Sequence, residues 1–189
     1  MIEFRRRNSI VKHKKYSIEQ IAELILAGHP VILPTETVYG IGVRFDNQNA
    51  LDNLFNIKNR SIHKPISLHI SYEMLQLFDI PTRLNVLCSR IFPGPFTLII
   101  ESKQRYGFHS KDNFTNKIGI RVPENKIFQQ VIKLINIPIC MTSANPSNHQ
   151  NTLKFEQCAL HNIPGIEDDA NVSGVESVII DATTMHVVR

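Results

Sequence analysis

Strand-length apolar runs alternate along this chain with stretches of helical period, and this alternation constrains its fold more than any other feature. "VIL" (31–33), "ISLHI" (66–70), "FTLIIE" (96–101), "IGIRV" (118–122) and "PICM" (138–141) are short, and each is flanked or opened by a proline. Between them, apolar residues recur at helical spacing: Ile18, Ile21, Leu24 and Ile25; Ala50, Leu51, Leu54 and Phe55; Leu84, Leu87, Cys88 and Ile91; Ile127, Phe128, Val131, Ile132 and Ile135. Two strands also sort their polar residues by face. Ser67 and His69 oppose Ile66, Leu68 and Ile70, and Gly119 and Arg121 oppose Ile118, Ile120 and Val122. The expected fold is α/β: one domain over 1–189 with a twisted open mixed sheet flanked by helices.

Local signals refine this picture. Ser17 with Gln20 reads as a capping box, Gly28 and Pro30 stop that helix, and the second helix ends near Lys58. Ser71 caps a short helix to Leu77, another helix is expected near 153–161, and a final strand pair near 177–181 and 185–188. Residues 1–16 form a basic N-terminal segment, either a solvated tail or an RNA contact. Residues 102–116 are polar and aperiodic, and read as a loop.

Several function classes drop out. No apolar run approaches the roughly 18 residues of a membrane span, and the N-terminus lacks a secretory apolar region. Cys88, Cys140 and Cys158 share no metal or redox spacing, which reads as a reduced, cytoplasmic protein. The eight histidines have no metal-ligand spacing, and no nucleophile elbow, Walker loop or GxGxxG is present. Covalent catalysis therefore has no evident carrier. The net charge of +4 permits anionic partners.

Polar residues at strand ends remain. Thr35-Glu36-Thr37 follows "VILP" and precedes Gly40 and Gly42; it is either a self-bonded turn or a close approach to a ligand. Lys58, Arg60 and Lys64 leave a helix C-terminus, as solvated charges or as a triphosphate clamp. Either reading predicts that truncating Lys58 or Arg60 spares the fold. His69 is a half-buried strand residue or a site residue, and Arg121 on a buried strand requires an anionic partner, protein or ligand. "TSANPSN" (142–148) offers hydroxyls and amides suited to sugar or phosphate, or to an ordinary turn.

Taken in order, "PTETVYGIG", Lys-x-Arg with "KPISLHI", "FPGPFTLII", "IGIRVP", "TSANPS" and "GVESVIID" resemble the YrdC-like family of threonylcarbamoyl-adenylate synthases, from about residue 17 to Arg189. The resemblance implies a large basic concave cavity. It implies a nucleotidyltransferase that joins L-threonine, bicarbonate and ATP into threonylcarbamoyl-AMP and pyrophosphate. The product would serve N6-threonylcarbamoylation of adenosine 37 in tRNA, through downstream threonylcarbamoyl-transferase proteins. On this resemblance Thr35, His69, Arg121 and Ser177 form the threonine pocket, with Arg121 pairing bidentately with the substrate carboxylate. Lys58, Arg60 and Lys64 hold phosphates; Ser143, Asn145, Lys117, Asn151 and Arg189 contact ATP; and Mg²⁺ travels with the triphosphate rather than in a protein cage. Tyr39 is expected to pack as cavity wall.

Three departures stand out. Ser177-Val178 replaces the family's Ser-Thr, Arg189 ends the sequence where relatives continue, and no extra C-terminal domain follows, which leaves the loop at 102–116 as the candidate lid. Two other readings are a paralogue with different carbamoyl or adenylate chemistry and a noncatalytic RNA-binding module.

Overall fold

The computed structural model describes residues 16–61, 64, 66–102, 116–145, 153–158, 160 and 162–189. The N-terminal segment before Tyr16, most of the loop at 102–116 and Asn151 lie outside the described residues.

Helix α1 (Ile18–Leu26) opens on the expected capping box: the Gln20 amide donates to Ser17 Oγ at 3.3 Å, and the Ser17 amide to Gln20 Oε1 at 3.0 Å. Helix α2 (Gln48–Ile57) is capped by Asn47 and ends at Lys58. Helix α3 (Asn85–Ile91) follows a 3₁₀ turn, and α4 (Lys126–Ile135) is capped by Asn125 and closed by Asn136 in the left-handed region at φ 50°. The helix expected near 153–161 is reduced, among the described residues, to one 3₁₀ turn at Phe155–Gln157. Cys158 leaves helical backbone at ψ 108°, and the Phe155 amide donates outward to Asp169 at 2.8 Å.

The strands are β1 (Val31–Leu33), β2 (Gly40–Arg44), β3 (Ser67–His69), β4 (Phe96–Glu101), β5 (Lys117–Arg121), β6 (Ile139–Ser143), β7 (Val178–Asp181) and β8 (His186–Val187). Together they make one mixed, twisted, open sheet in the order β1-β2-β6-β3-β5-β4-β7-β8. The pairs β3–β5 and β4–β7 are parallel, and the other neighbours are antiparallel. Edge strand β1 is covered: the Ile32 amide donates to the Pro164 carbonyl at 2.7 Å, and the Ile166 amide to the Ile32 carbonyl at 3.2 Å.

Strand alternation divides the sheet into two faces. Ile41, Leu68, Leu98, Ile118, Ile120 and Cys140 are all at most 2% exposed and join the core with α1 and α4, which pack against each other. The other face carries Gly40, Ser67, Thr97, Gly119, Arg121 and Met141 and lines a cavity. Among the described residues no helix is long and apolar enough to cross a membrane.

Strand β2 is absent from the sequence reading because its two glycines weaken strand propensity. They are there to admit β6. A Cβ on Gly42 would lie 2.4 Å from Met141 Cγ and 2.7 Å from Ile139 Cγ2, both close to the β6 backbone. A Cβ on Gly40 would lie 2.4 Å from Met141 Cε, the far end of a flexible side chain, and otherwise make ordinary contact, with the Thr142 carbonyl oxygen at 3.4 Å. Gly42→Ala is therefore expected to cost about 1–3 kcal/mol, a fall in Tm of roughly 3–10 °C, and Gly40→Ala clearly less. Thermal melts of the two variants test this, and equal melting temperatures would refute the packing assignment.

Candidate active site

The cavity holds about 520 Å³ and opens over the polar face of β6, β3, β5, β4 and β7. Its cationic lining residues among those described are Arg60, Lys117, Arg121 and Arg189, and its carboxylates are Glu176 and Asp181. Thr35, His69, Ser143 and Ser177 line it too. Lys58, Asn145 and Lys64 do not.

Register places the residues along one axis. His69 lies opposite Arg121, and Ser67 opposite Gly119, on the parallel pair β3–β5. Gly119 leaves the floor bare between Arg121 and Lys117, whose Cα atoms are about 13 Å apart along the strand. A side chain at Gly119 would press on Thr97 and Ser67 at 3.3 and 3.5 Å.

At the Arg121 end the guanidinium is buried. Arg121 is 4% exposed, and its Nη2 donates to Glu36 Oε1 at 2.6 Å and Thr37 Oγ1 at 2.7 Å. Burial works against the charge, and Glu36 offsets it. The anionic partner that the sequence required is thus a protein carboxylate. Both Nη2 hydrogens are held, so a ligand carboxylate meets the remaining nitrogens, of which Nε is buried with no partner. A bidentate pair through Nη2 is closed in this arrangement.

Thr35 combines both readings of its stretch. It lines the cavity, yet its hydroxyl donates to the Val38 carbonyl at 2.6 Å and accepts from the Thr37 and Val38 amides at 3.3 and 3.2 Å. His69 beside it is 6% exposed, with Nδ1 unpartnered and Phe128 edge-on at 6.1 Å. Burial, helped by the Arg121 charge, lowers its pKa to about 3, so the imidazole is neutral at pH 7. Ser177 and Thr97 share a hydrogen bond of 2.9 Å.

At the other end Lys117 Nζ donates to Asp181 Oδ2 at 2.9 Å and Thr183 Oγ1 at 2.6 Å. Thr183 and then Lys117 hold the Asp181 carboxyl down at about 2. Arg189 belongs instead to the Arg121 end, where its charge bears on Arg121; it bonds the Glu176 carboxylate and, through Nε, the Ser177 carbonyl at 3.3 Å.

Lys58 departs most from expectation. It is 2% exposed, and its ammonium donates to the Ser143 carbonyl at 2.5 Å, to the Asn145 carbonyl and to Asn145 Oδ1 at 3.3 Å. Ser143 Oγ donates to the same Asn145 Oδ1 at 2.6 Å. Burial, then the Arg60 charge, lowers the Lys58 pKa to about 8, and it remains protonated at neutral pH. Lys58 therefore ties the end of β6 from behind while Ser143 faces the cavity. Lys58 is thus not the solvated surface charge that the sequence allowed.

Tyr39 also turns away from the cavity: its hydroxyl donates to Asp169 Oδ1 at 2.6 Å and accepts from the Asp168 amide at 2.8 Å. Sequence reading missed Thr97, Glu176 and Asp181 as site residues and gave Glu36 no role apart from its Thr35-Glu36-Thr37 stretch. Thr97 was legible as the polar position in "FTLIIE"; Glu176 and Asp181 carry no local signal.

A family model for Sua5, YciO and YrdC, described as telomere recombination, matches residues 23–189. The chain belongs to this family. It is 32% identical over 177 residues to the threonylcarbamoyl-AMP synthase of Pyrococcus abyssi, covering 90% of this chain and 52% of that protein. It is 30% identical over 188 residues to the threonylcarbamoyl-AMP synthase of Blochmanniella floridana, covering 94% and 97%. The fold matches the crystal structure of P. abyssi Sua5 complexed with L-threonine at a TM-score of 0.79 and 30% identity, over 90% of this chain and 53% of that one. E. coli YciO matches at 0.76 and 20% identity, over 94% and 92%, a likeness of fold. The chain spans about half the length of the first two curated relatives it matches.

Two outcomes follow from the site. Lys58→Ala strands buried carbonyls and should cost about 2–4 kcal/mol, a Tm drop of roughly 5–15 °C, whereas Arg60→Ala, at the cavity lining, should move Tm far less. Matching melts for the two would overturn the buried-tie assignment. For His69, the unfolded state binds a proton below pH 6.5 that the native state refuses down to about 3. Stability therefore falls as pH drops through that window, by up to about 1.4 kcal/mol per unit. His69→Asn should show a shallower decline in denaturant midpoint between pH 6.5 and 4; parallel curves would count against a buried neutral imidazole.

Proposed function

We propose that this chain is a threonylcarbamoyl-AMP synthase, a nucleotidyltransferase acting on L-threonine, bicarbonate and ATP. The observation that carries the reading is the cavity itself. It has a buried arginine and a neutral histidine at one end and Lys117 at the other, about 13 Å apart along β5 with Gly119 leaving the floor bare between them. That length suits an amino acid in line with a triphosphate. The relative captured with L-threonine supports the amino-acid end.

The chemistry fits residues that position and neutralise rather than attack. The threonine amine condenses with bicarbonate to a carbamate, releasing water. A carbamate oxygen then bonds to the α-phosphorus of ATP as the bond to pyrophosphate breaks. Arg121 would bind the threonine carboxylate, and Thr35 and Ser177 would shape the pocket around it. His69, being neutral, would offer a lone pair without opposing the ammonium. Arg60, Lys117 and Arg189 would neutralise phosphates, and Ser143 would contact the nucleotide, held in place by Lys58 and Asn145. Lys64 and Asn151 keep their proposed ATP contacts on the family pattern alone.

Among the described residues no group of three or more acidic, His or Cys side chains could hold a metal ion, and the cavity carboxylates Glu176 and Asp181 already pair with Arg189 and Lys117. Mg²⁺ is accordingly proposed as part of the ATP substrate. tRNA as eventual acceptor and a downstream threonylcarbamoyl transferase follow from the product. Cytoplasmic residence is proposed on the three buried free thiols of Cys88, Cys140 and Cys158.

Pyrophosphate release should require threonine, bicarbonate and ATP together, with omission of any one abolishing it. Release without threonine would refute the assignment. Arg121→Ala should raise the threonine KM by roughly 30- to 150-fold and the ATP KM far less. An unchanged threonine KM in a folded variant would remove Arg121 from the pocket.

A further inference from the structure

Glu36 has no assigned part in the reaction, yet its carboxylate is held at both oxygens. Oε1 accepts from Arg121 Nη2 at 2.6 Å, and Oε2 from the Glu124 amide at 3.0 Å. Its backbone is braced as well, since the Ser173 amide donates to the Glu36 carbonyl at 3.1 Å and the Gly174 amide to the Thr37 carbonyl at 2.6 Å. The same Nη2 donates to Thr37 Oγ1 at 2.7 Å. A guanidinium pinned at one terminal nitrogen by two acceptors cannot turn in its plane, and its Nε, buried in a wall of the cavity, is left without a partner. Buried charged donors are not left unpaired without a reason.

We propose that Glu36 is a positioning residue. With Thr37 Oγ1 accepting from Arg121 Nη2 as well, the Glu36 carboxylate completes the hold on that nitrogen and fixes the guanidinium with Nε–H free for the carboxylate of the amino-acid substrate. This deepens the proposed function and rests on it. Glu36 touches no substrate; it sets which nitrogen of Arg121 does. The negative charge matters as well as the bond, because it keeps a 4%-exposed cation affordable within the sheet. The opposite role, a stand-in carboxylate that must leave before substrate enters, predicts the opposite sign in the test below.

The test compares wild type, Glu36→Gln, Arg121→Lys and the double variant, with melting curves as the fold control. Glu36→Gln should raise the threonine KM about ten-fold and leave the ATP KM within about two-fold. In the Arg121→Lys background the same change should have little effect, since the residue acts through the guanidinium. A lowered threonine KM, or equal effects in both backgrounds, would overturn the proposal. A second measurement needs no turnover: exchange of the Arg121 Nε–H with water, followed by NMR in the ligand-free protein. It should be at least about ten-fold faster in Glu36→Gln, and equal exchange would overturn the proposal. Should that variant fail to fold, Glu36→Asp, too short to span Arg121 and Glu124, carries the same comparison. Absence of threonine-dependent pyrophosphate release in the wild type would sink the enzymatic reading alone, and the exchange rates would still decide Glu36.

Discussion

A full positive charge lies at the end of a central strand, almost out of contact with water, and much of the surrounding architecture answers it. Arg121 needs acceptors within reach, and a turn that reverses the chain after β1 delivers them as Glu36 and Thr37. That turn keeps its shape through the Thr35 hydroxyl, and it is tied to Ser173 and Gly174, the approach to Ser177. One electrostatic demand thus brings three distant stretches of sequence to one end of the cavity.

The opposite end follows a different logic. Lys117, Asp181 and Thr183 form a compact ionic set between β5 and β7. Lys117 stands partly exposed, so its pair is weak and exchangeable with an arriving anion. The single cavity is thus tightly held at one end and loosely paired at the other.

Much of this was legible in the residues. "ISLHI" and "IGIRV" disclosed both faces of their strands, because a period of two survives any tertiary context. The capping box at Ser17 and the cavity positions of His69, Arg121 and Ser143 were likewise readable. Other features were not. Strand β2 was hidden by glycines whose purpose, admitting Met141, appears only when β6 is beside it. Lys58 looked like a surface charge because it follows a helix end, yet the carbonyls that bury it come from Ser143 and Asn145, more than eighty positions away. Tyr39 and Glu36 were ambiguous for the same reason: their partners, Asp169 and Arg121, are remote in sequence.

The strand order has a consequence for assembly. Strand β2 must find β6, and β4 must find β7, across roughly half the chain in each case. Such non-local pairings fold slowly, since closing long loops precedes any gain from contact. On the ribosome the helices and central strands emerge first, while β4 keeps a bare hydrogen-bonding edge until β7 arrives. Ser177, Asp181 and Arg189 are translated well after Glu36, Thr37 and Arg121, so a nascent chain carries the buried arginine and its acceptors before it carries the wall that completes the cavity.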